Sequence, residues 1–413
     1  MRILWWGNAP WVQSGYGRQI AEVALRQQED GHAVAILSNF GLQGEVRNWK
    51  GIPVFPSGWS VPRGPDALAH WVKEWDPDVI ISLADVWDQD PKWWKDSTAG
   101  RLLLNWVPVE RFPAPVGTAE WGKQEIGIML PMSWWGQHIL AYEGIRTLPY
   151  IPHSVAPHYT PGEKRKDLFG FPEDKRIFGV VAMNSQSPVA RKAFPELLLA
   201  WRGLPDHIRK NSVLYLHTMA TQLMGGLDLV SVIESLELEI GKDVLFPSVD
   251  VFYTGLDDSM MVELYRCFDV LLAPSMGEGF GIPVIEAQAC GVPAAVTNFS
   301  AQPELLPTLK SNAGLPLRIP PGEYTPWWDP AHKSWMARPN PDSITTQINF
   351  AYNAMTDEDS SYWDACKLAA IVKASEYDAD LLYEESWIPT MEFLNKVIEE
   401  MLSARLVHME AAV

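Results

Sequence analysis

The sequence predicts an α/β fold of two doubly wound, Rossmann-like domains facing each other across a cleft. Three observations carry this expectation. Short apolar strands alternate with helical stretches along the chain, the pattern of parallel sheets covered by helices. The pattern breaks at a proline-rich stretch near residue 150 and then restarts. A length of 413 residues suits two domains better than one.

The first unit opens with an apolar strand at residues 2–6 (RILWW) and a loop at residues 7–17 (GNAPWVQSGYG) that carries Gly7, Gly15 and Gly17. A helix follows over residues 18–29, with apolar positions at 20, 21, 23, 24 and 25, and then a strand at 33–37 (AVAIL). Residues 78–83, 102–107 and 126–130 continue the strands, and 133–144 reads as a helix ended by glycine. Residues 148–162 hold four prolines and run into a charged stretch, which marks the domain boundary. The second half restarts with a strand at 177–183 (IFGVVAM), a loop, and a helix over 192–202. Further strands fall at 213–217, 244–246, 270–273 and 294–297. Residues 316–341, rich in Pro and Trp, predict a long irregular loop. Residues 384–413 predict a long acidic helix that packs back towards the N-terminal domain. The expected division is 1–152, 153–385 and the terminal helix 386–413.

Charge and composition limit the function. Lys plus Arg is 33 and Asp plus Glu is 51, a net charge of −18. Residues 1–155 carry 13 basic and 16 acidic side chains, and the remainder carries 20 and 35. Neither half has the basic footprint of a duplex nucleic-acid binder or the polybasic patch of a protein bound to anionic lipid. No window approaches 18 consecutive apolar residues, and the N-terminus lacks a signal-peptide core. Cys267, Cys290 and Cys366 form no CxxC pair. The expectation is a cytoplasmic protein in a reducing compartment. Fourteen of the 20 tryptophans lie between Trp5 and Trp135. Trp5 and Trp6, within a strand, read as core. Trp11 in the glycine loop and Trp134 and Trp135 at a helix start read as cleft-facing, since indole faces suit sugar C–H surfaces.

The most informative segment is 270–301, VLLAPSMGEGFGIPVIEAQACGVPAAVTNFSA. A buried strand ends at Pro274-Ser275, and a loop then presents Glu278 and Gly279-Phe280-Gly281. Pro283 fits the first turn of the helix that follows. The glycines let backbone approach a ligand closely, and a helix start favours phosphate. Glu278 and Glu286, eight residues apart, can face one ligand from two sides.

This segment resembles the retaining nucleotide-sugar glycosyltransferases of the GT-B fold, family 4. The resemblance rests on Glu-x7-Glu with Gly-Phe-Gly between. It extends back through Leu264-Tyr265-Arg266 and Asp269, and forward through Ala287 to Gly291-Val292-Pro293. Weaker echoes are Ser14-Gly15-Tyr16-Gly17, Ser133-Trp134-Trp135-Gly136, Ile151-Pro152-His153-Ser154-Val155 and Arg191-Lys192. The resemblance implies a metal-independent transferase that needs no cofactor and takes a UDP- or GDP-hexose and a hydroxyl acceptor as its partners. It implies that Glu278 lies beside the donor sugar, helped by the backbone of Gly279, Phe280, Gly281 and Ile282. Glu286 would hold the ribose hydroxyls, and Lys192 with Arg191 would neutralise the diphosphate. Gly15 and Gly17 would close over the phosphates from the N-terminal side, although a bare Gly-x-Gly also occurs in turns. Leu256 and Asp257 would lie near the base, although Asp257 also fits a helix N-cap. Closure across the hinge would exclude water.

The sequence departs from the family at two places. No basic residue precedes Arg191 in the stretch from Ala182, where the family carries an arginine. Either Arg191 supplies the charge or Asn184 substitutes a neutral donor. No histidine follows strand 102–107, and Glu110 occupies that region. Glu110, with Trp11, Tyr16 and Trp134, is assigned to the acceptor side, and His153 reads as structural. The Asp-x-Asp triplets at 88–90 and 378–380 are expected by chance in so acidic a chain, so no metal is assigned. A sugar-nucleotide epimerase on the same fold and a degenerate carbohydrate-binding protein remain as alternatives.

Overall fold

The computed structural model describes residues 1–57, 65–185, 190–222 and 225–410. The chain divides into two units. One holds Met1–Val109, Pro113–Ser154 and Ala379–Val413, and the other holds Glu110–Phe112 and Val155–Asp378. The first unit therefore takes in the C-terminal stretch from residue 379, and the second takes in three residues from the middle of the first half.

The first unit is built from β1 (Arg2–Asn8), α1 (Gly15–Glu29), β2 (Ala33–Phe40), β3 (Arg47–Trp49), β4 (Ile52–Phe55), α2 (Pro65–Trp75), β5 (Val79–Leu83), α3 (Pro91–Ser97), β6 (Leu102–Val107), α4 (Val116–Lys123), β7 (Ile128–Pro131) and α5 (Trp134–Tyr142). They form a seven-stranded sheet in the order β3-β4-β2-β1-β5-β6-β7. It is parallel throughout except where β3 runs antiparallel to β4. The central strands are buried on both faces, which is why they read as unbroken apolar runs.

Neighbouring residues of a strand point to opposite faces, so Trp5 and Trp6 seed two separate cores. On one face Trp6 meets Trp94 edge-on at 4.9 Å, and Trp94 meets Trp121 at 5.8 Å. On the other, Trp5, Trp106 and Trp387 form a trio with ring centroids 5.0 to 6.4 Å apart. All six of these indoles are buried.

The second unit runs through β8 (Arg176–Val181), α6 (Phe194–Arg202), α7 (Asp206–Lys210), β9 (Ser212–His217), α8 (Leu229–Ser235), β10 (Val244–Leu245), α9 (Val249–Thr254), α10 (Asp258–Cys267), β11 (Val270–Ala273), α11 (Ile282–Ala289), β12 (Ala294–Val296), β13 (Tyr324–Asp329), β14 (Ser334–Pro339), α12 (Pro341–Thr356) and α13 (Ser361–Ser375). Five parallel strands stand in the order β10-β9-β8-β11-β12. Its core gathers Phe178, Phe194, Trp201, Leu214, Leu272 and Ile348. Cys267, Cys290 and Cys366 are free and buried. Burial pushes the Cys267 thiol up to about 11 and the Cys290 thiol up to about 12.

The expectation of an irregular loop over 316–341 is corrected. The segment contains the antiparallel hairpin β13–β14, paired from Tyr324↔Pro339 to Asp329↔Ser334. Prolines lowered its strand signal, yet a two-stranded ribbon tolerates them where no ladder hydrogen bond is needed. Pairs across the ribbon alternate in environment. Met336, paired with Trp327, is buried against Ala193 and Met276, whereas Trp328 and Trp335 stay 41% and 42% exposed with rings 5.1 Å apart. The Ala337 N–H donates to the Met276 carbonyl at 2.9 Å, so β14 leans on the loop that follows β11.

The chain ends in α14 (Ala379–Leu382), a π-helical turn at Tyr383–Trp387 and α15 (Ile388–Glu410). The terminal helix thus starts four residues later than predicted, after a turn that aims Trp387 into the Trp5–Trp106 pair. Arg26 holds Asp380 at 2.6 Å, and the Tyr383 hydroxyl donates to Asp30 at 2.7 Å. Among the described residues no helix is long and apolar enough to cross a membrane.

Candidate active site

The loop between β11 and α11 is held from several directions. Gln302 donates to the Ala273 carbonyl at 2.7 Å, where β11 ends. The Glu278 N–H donates to Ser300 Oγ at 2.9 Å. Gly281 takes φ +118° as the N-cap of α11, a conformation that only glycine adopts cheaply. Pro283 follows in the first turn, as the sequence predicts.

Arg191 and Lys192 reach this loop from a tight turn before α6. The turn closes with an Ala193 N–H to Ala190 carbonyl bond of 2.7 Å, and Ala193 itself is left-handed at φ 53°. The Met276 N–H donates to the Arg191 carbonyl at 2.8 Å, which ties turn to loop. Arg191 then donates to the Gly277 carbonyl at 2.5 Å and to Glu278 Oε2 at 2.9 Å. Lys192 donates to Glu278 Oε1. One carboxylate is thus gripped by two cations. Burial alone would raise the Glu278 carboxyl, but Arg191 and Lys192 outweigh it and pull it down to about 2. Desolvation lowers the Lys192 ammonium. Glu278 pulls it back and Arg191 pushes it down again, which leaves it below lysine's ordinary value.

Glu286, on α11, is buried and accepts from the Tyr265 hydroxyl at 2.6 Å. Phe280 is buried edge-on against Tyr377 at 5.5 Å, and Ile282 is buried beside it in the chain. Gly277 abuts Glu110, because a Cβ there would fall 2.3 Å from the Glu110 carbonyl oxygen.

Glu110 belongs to the second unit, inside a cluster that sequence reasoning did not find. Arg111 Nε donates to Glu110 Oε1 at 3.0 Å, and Arg111 Nη1 donates to Asp329 Oδ2. His332 lies 2.8 Å from the same carboxylate, and the Ala331 N–H donates to it at 3.0 Å. Burial pushes the Asp329 carboxyl up, but His332 and Arg111 outweigh it and hold it below the usual range. The adjacent Phe112 exchanges both backbone hydrogen bonds with Trp335. The one signal in the sequence was the charged pair Glu110-Arg111 just beyond a buried strand.

Other expected site residues have duties of their own. Asn184 donates to the Met219 and Leu227 carbonyls and accepts from the Leu227 N–H, so its amide braces two loops and has no hydrogen to lend in place of an arginine. Residues 186–189, in the stretch that lacks the arginine, lie outside the described residues. Asp257 caps α10, accepting from the Met260 N–H at 2.8 Å and Ser259 Oγ at 2.7 Å, and Leu256 before it is half-buried.

In the first unit, helix α1 begins at Gly15, so Gly15 and Gly17 lie in its first turn rather than in an open loop. Ser14 caps that turn through the Gly17 N–H at 3.1 Å, and a Cβ on Gly17 would fall 2.7 Å from the Val12 carbonyl oxygen. Trp11 is exposed and donates to the Gly41 carbonyl at 3.0 Å. Trp134 is exposed over His138 at 3.8 Å. Tyr16 stands 6.2 Å from His153, which is buried against Trp106. Among the described residues no three His, Cys, Asp or Glu side chains gather as metal ligands.

The Glu278 loop, α11 and Glu286 all lie within residues 236–313, and this stretch matches the family described as glycosyl transferases group 1. The segment belongs to that family. A D-inositol 3-phosphate glycosyltransferase of Geodermatophilus obscurus is 31% identical over 155 residues, which cover 36% of this chain and 32% of that protein. The O-antigen chain mannosyltransferase B of Escherichia coli is 29% identical over 162 residues, covering 34% and 41%. The chain thus spans between a third and two fifths of the length of the curated relatives it matches. The fold is that of the GT-B glycosyltransferases. A sucrose-phosphate synthase of Thermosynechococcus elongatus matches with TM-score 0.71 at 12% identity, over 98% of this chain and 100% of that one. The Anabaena protein HepE solved with UDP-glucose matches with TM-score 0.63 at 15% identity, over 98% and 100%.

Proposed function

We propose that the protein is a retaining, metal-independent glycosyltransferase that moves a hexose from a UDP- or GDP-sugar to a hydroxyl acceptor. The observation that carries this reading is the Glu278 carboxylate gripped by Arg191 and Lys192, one helix start ahead of the buried Glu286. In this reading the diphosphate takes over the two cations, which stabilise the charge that grows as it leaves. Glu278, released from them, turns to the sugar. Glu286, set by Tyr265, holds the ribose hydroxyls. The bond from C1 to the diphosphate oxygen breaks, C1 bonds to the acceptor oxygen on the same face, and the acceptor's proton leaves with the diphosphate. The second unit binds the donor, and the first unit, with Trp11, Tyr16 and Trp134, serves the acceptor in the cytoplasm. The similarity of the matched segment to an inositol-phosphate glycosyltransferase and a mannosyltransferase supports glycosyl transfer, and the shared fold with HepE, solved with UDP-glucose, supports a sugar nucleotide as donor. The test is incubation with UDP-glucose, UDP-galactose and GDP-mannose. Slow release of free hexose and nucleotide from one of them is expected. Absence of UDP and GDP binding by calorimetry would sink the reading, and sugar epimerisation without a second substrate would replace it with the epimerase.

A further inference from the structure

Among the described residues, eight that are not glycine hold a left-handed backbone, a conformation that strains any residue with a Cβ. Six of them, Lys50, Asp76, Ala99, Glu125, Glu237 and Lys333, are exposed. The two that are buried, Ala193 at φ 53° and Ser300 at φ 55°, both touch the loop that carries Glu278. Glycine would adopt either conformation at less cost, so each side chain needs a reason to be there. Ala193 has one in packing, because its methyl is buried with Met276 and Met336.

Ser300 has one in its hydroxyl. Oγ donates its single hydrogen to the Phe299 carbonyl at 2.7 Å, so it presents only lone pairs to the loop. The Glu278 N–H donates to them at 2.9 Å. The segment that carries Ser300 is braced on both sides. Before it, the Asn298 N–H donates to the Gly322 carbonyl at 2.8 Å, and Gln347 donates to the Val296 carbonyl at 3.0 Å. After it, Gln302 donates to the Ala273 carbonyl at 2.7 Å, and Gln288 donates to the Leu305 carbonyl at 2.9 Å. The main chain of Glu278 is therefore pinned to a rigid segment, while its carboxylate is held separately by Arg191 and Lys192.

We propose that Ser300 is a positioning residue whose hydroxyl fixes the Glu278 main chain as a pivot. The carboxylate gives up its ion pairs to the diphosphate, and it turns to the sugar about a backbone that stays in place. The inference rests on the glycosyltransferase reading above, and it names what holds Glu278 once both cations have left it.

The test compares the wild type with Ser300→Gly, Ser300→Ala and Ser300→Thr. It reads kcat and KM for hexose release from the nucleotide sugar that the wild type accepts, the affinity for UDP or GDP, and Tm. Ser300→Gly and Ser300→Ala should both lose roughly 10- to 100-fold in kcat, with nucleotide affinity unchanged. Ser300→Gly, which relieves the left-handed backbone, should nevertheless melt above Ser300→Ala, which keeps it. Ser300→Thr keeps the hydroxyl and should recover most of the turnover, although its branched Cβ lowers Tm. A merely structural residue would make turnover follow Tm, with Ser300→Gly well ahead of Ser300→Ala. That outcome, or a Ser300→Gly enzyme with the wild-type kcat, would overturn the proposal and leave the transferase reading intact. A wild type that binds neither UDP nor GDP would overturn the transferase reading, and this inference with it.

Discussion

The two units differ in what they gather beside their sheets. In the first, indoles fill the interior. Trp5, Trp106 and Trp387 close one face of the sheet, and Trp6, Trp94 and Trp121 close the other. In the second, the interior beside β11 holds ions, Glu278 with Arg191 and Lys192, and Arg111 with Glu110 and Asp329. Its hairpin indoles, Trp328 and Trp335, face outwards instead. The lesson is that residue type alone does not mark a site. Of the fourteen tryptophans in the first third of the chain, the sequence assigns only Trp11, Trp134 and Trp135 to a cleft and reads the others mainly as packing, and Trp5, Trp6, Trp94, Trp106 and Trp121 are indeed buried. The ions cost desolvation wherever they lie buried, and they cluster where the family motif falls.

The contrast can be broken in four places. The largest effect is expected at Trp387. Trp387→Ala removes the shared member of the buried trio and should cost about 3–5 kcal/mol in chemical denaturation. UDP or GDP affinity of the folded protein should not change, and a weakened nucleotide would mean the trio is not mere scaffold. Lys192→Ala should do the reverse. Turnover should fall by roughly 10²–10³-fold, the scale of one lost charge-stabilising donor. Stability should fall by only about 1 kcal/mol, since the pair is partly solvated. Wild-type rates in that variant would remove Lys192 from the chemistry.

The third place is His153. Burial holds its imidazole down from 6.5 to about 3, so the folded protein keeps it neutral while the unfolded chain protonates. Its contribution is complete above pH 6.5 and drains away as the pH falls towards 3. Linkage puts the loss between pH 7 and pH 5 at about 2 kcal/mol. His153→Phe should flatten that acid limb in urea titrations, and an unchanged slope would assign the limb to other groups. The smallest effect is expected at Trp328, where Trp328→Ala should shift stability by less than about 1 kcal/mol. A cost comparable with Trp387→Ala would show that the hairpin face is covered in solution.

Much of this was legible in the sequence. The strand–glycine–helix order around Glu278 is local, and so is the Glu278–Glu286 spacing, so a reader needs only neighbouring residues to see them. The resemblance implied that Arg191 and Lys192 neutralise a diphosphate, and their grip on Glu278 was not foreseen. What stayed hidden is non-local or contrary to propensity. Asp329 meets Arg111 across more than two hundred residues, a pairing that no window exposes. The hairpin carries Pro326 and Pro339 within its strands, and both argue against strands until the ribbon is seen to be two-stranded. That Gly17 lies in the first turn of α1, close against the Val12 backbone, stayed hidden because a glycine needed for close backbone packing and one needed for phosphate look alike in one sequence.

The three-residue excursion Glu110–Phe112 also bears on modularity. A fragment cut at 155–378 would carry Asp329 into its interior without the Arg111 guanidinium that pairs with it. It would lose the backbone bridge from Phe112 to Trp335 as well. Such a piece is expected to express poorly or to splay its hairpin, and supplying a peptide that spans the excursion should restore order. Anyone exchanging halves between relatives would have to move these three residues with the far half. In that sense the boundary between the units is a splice rather than a single point.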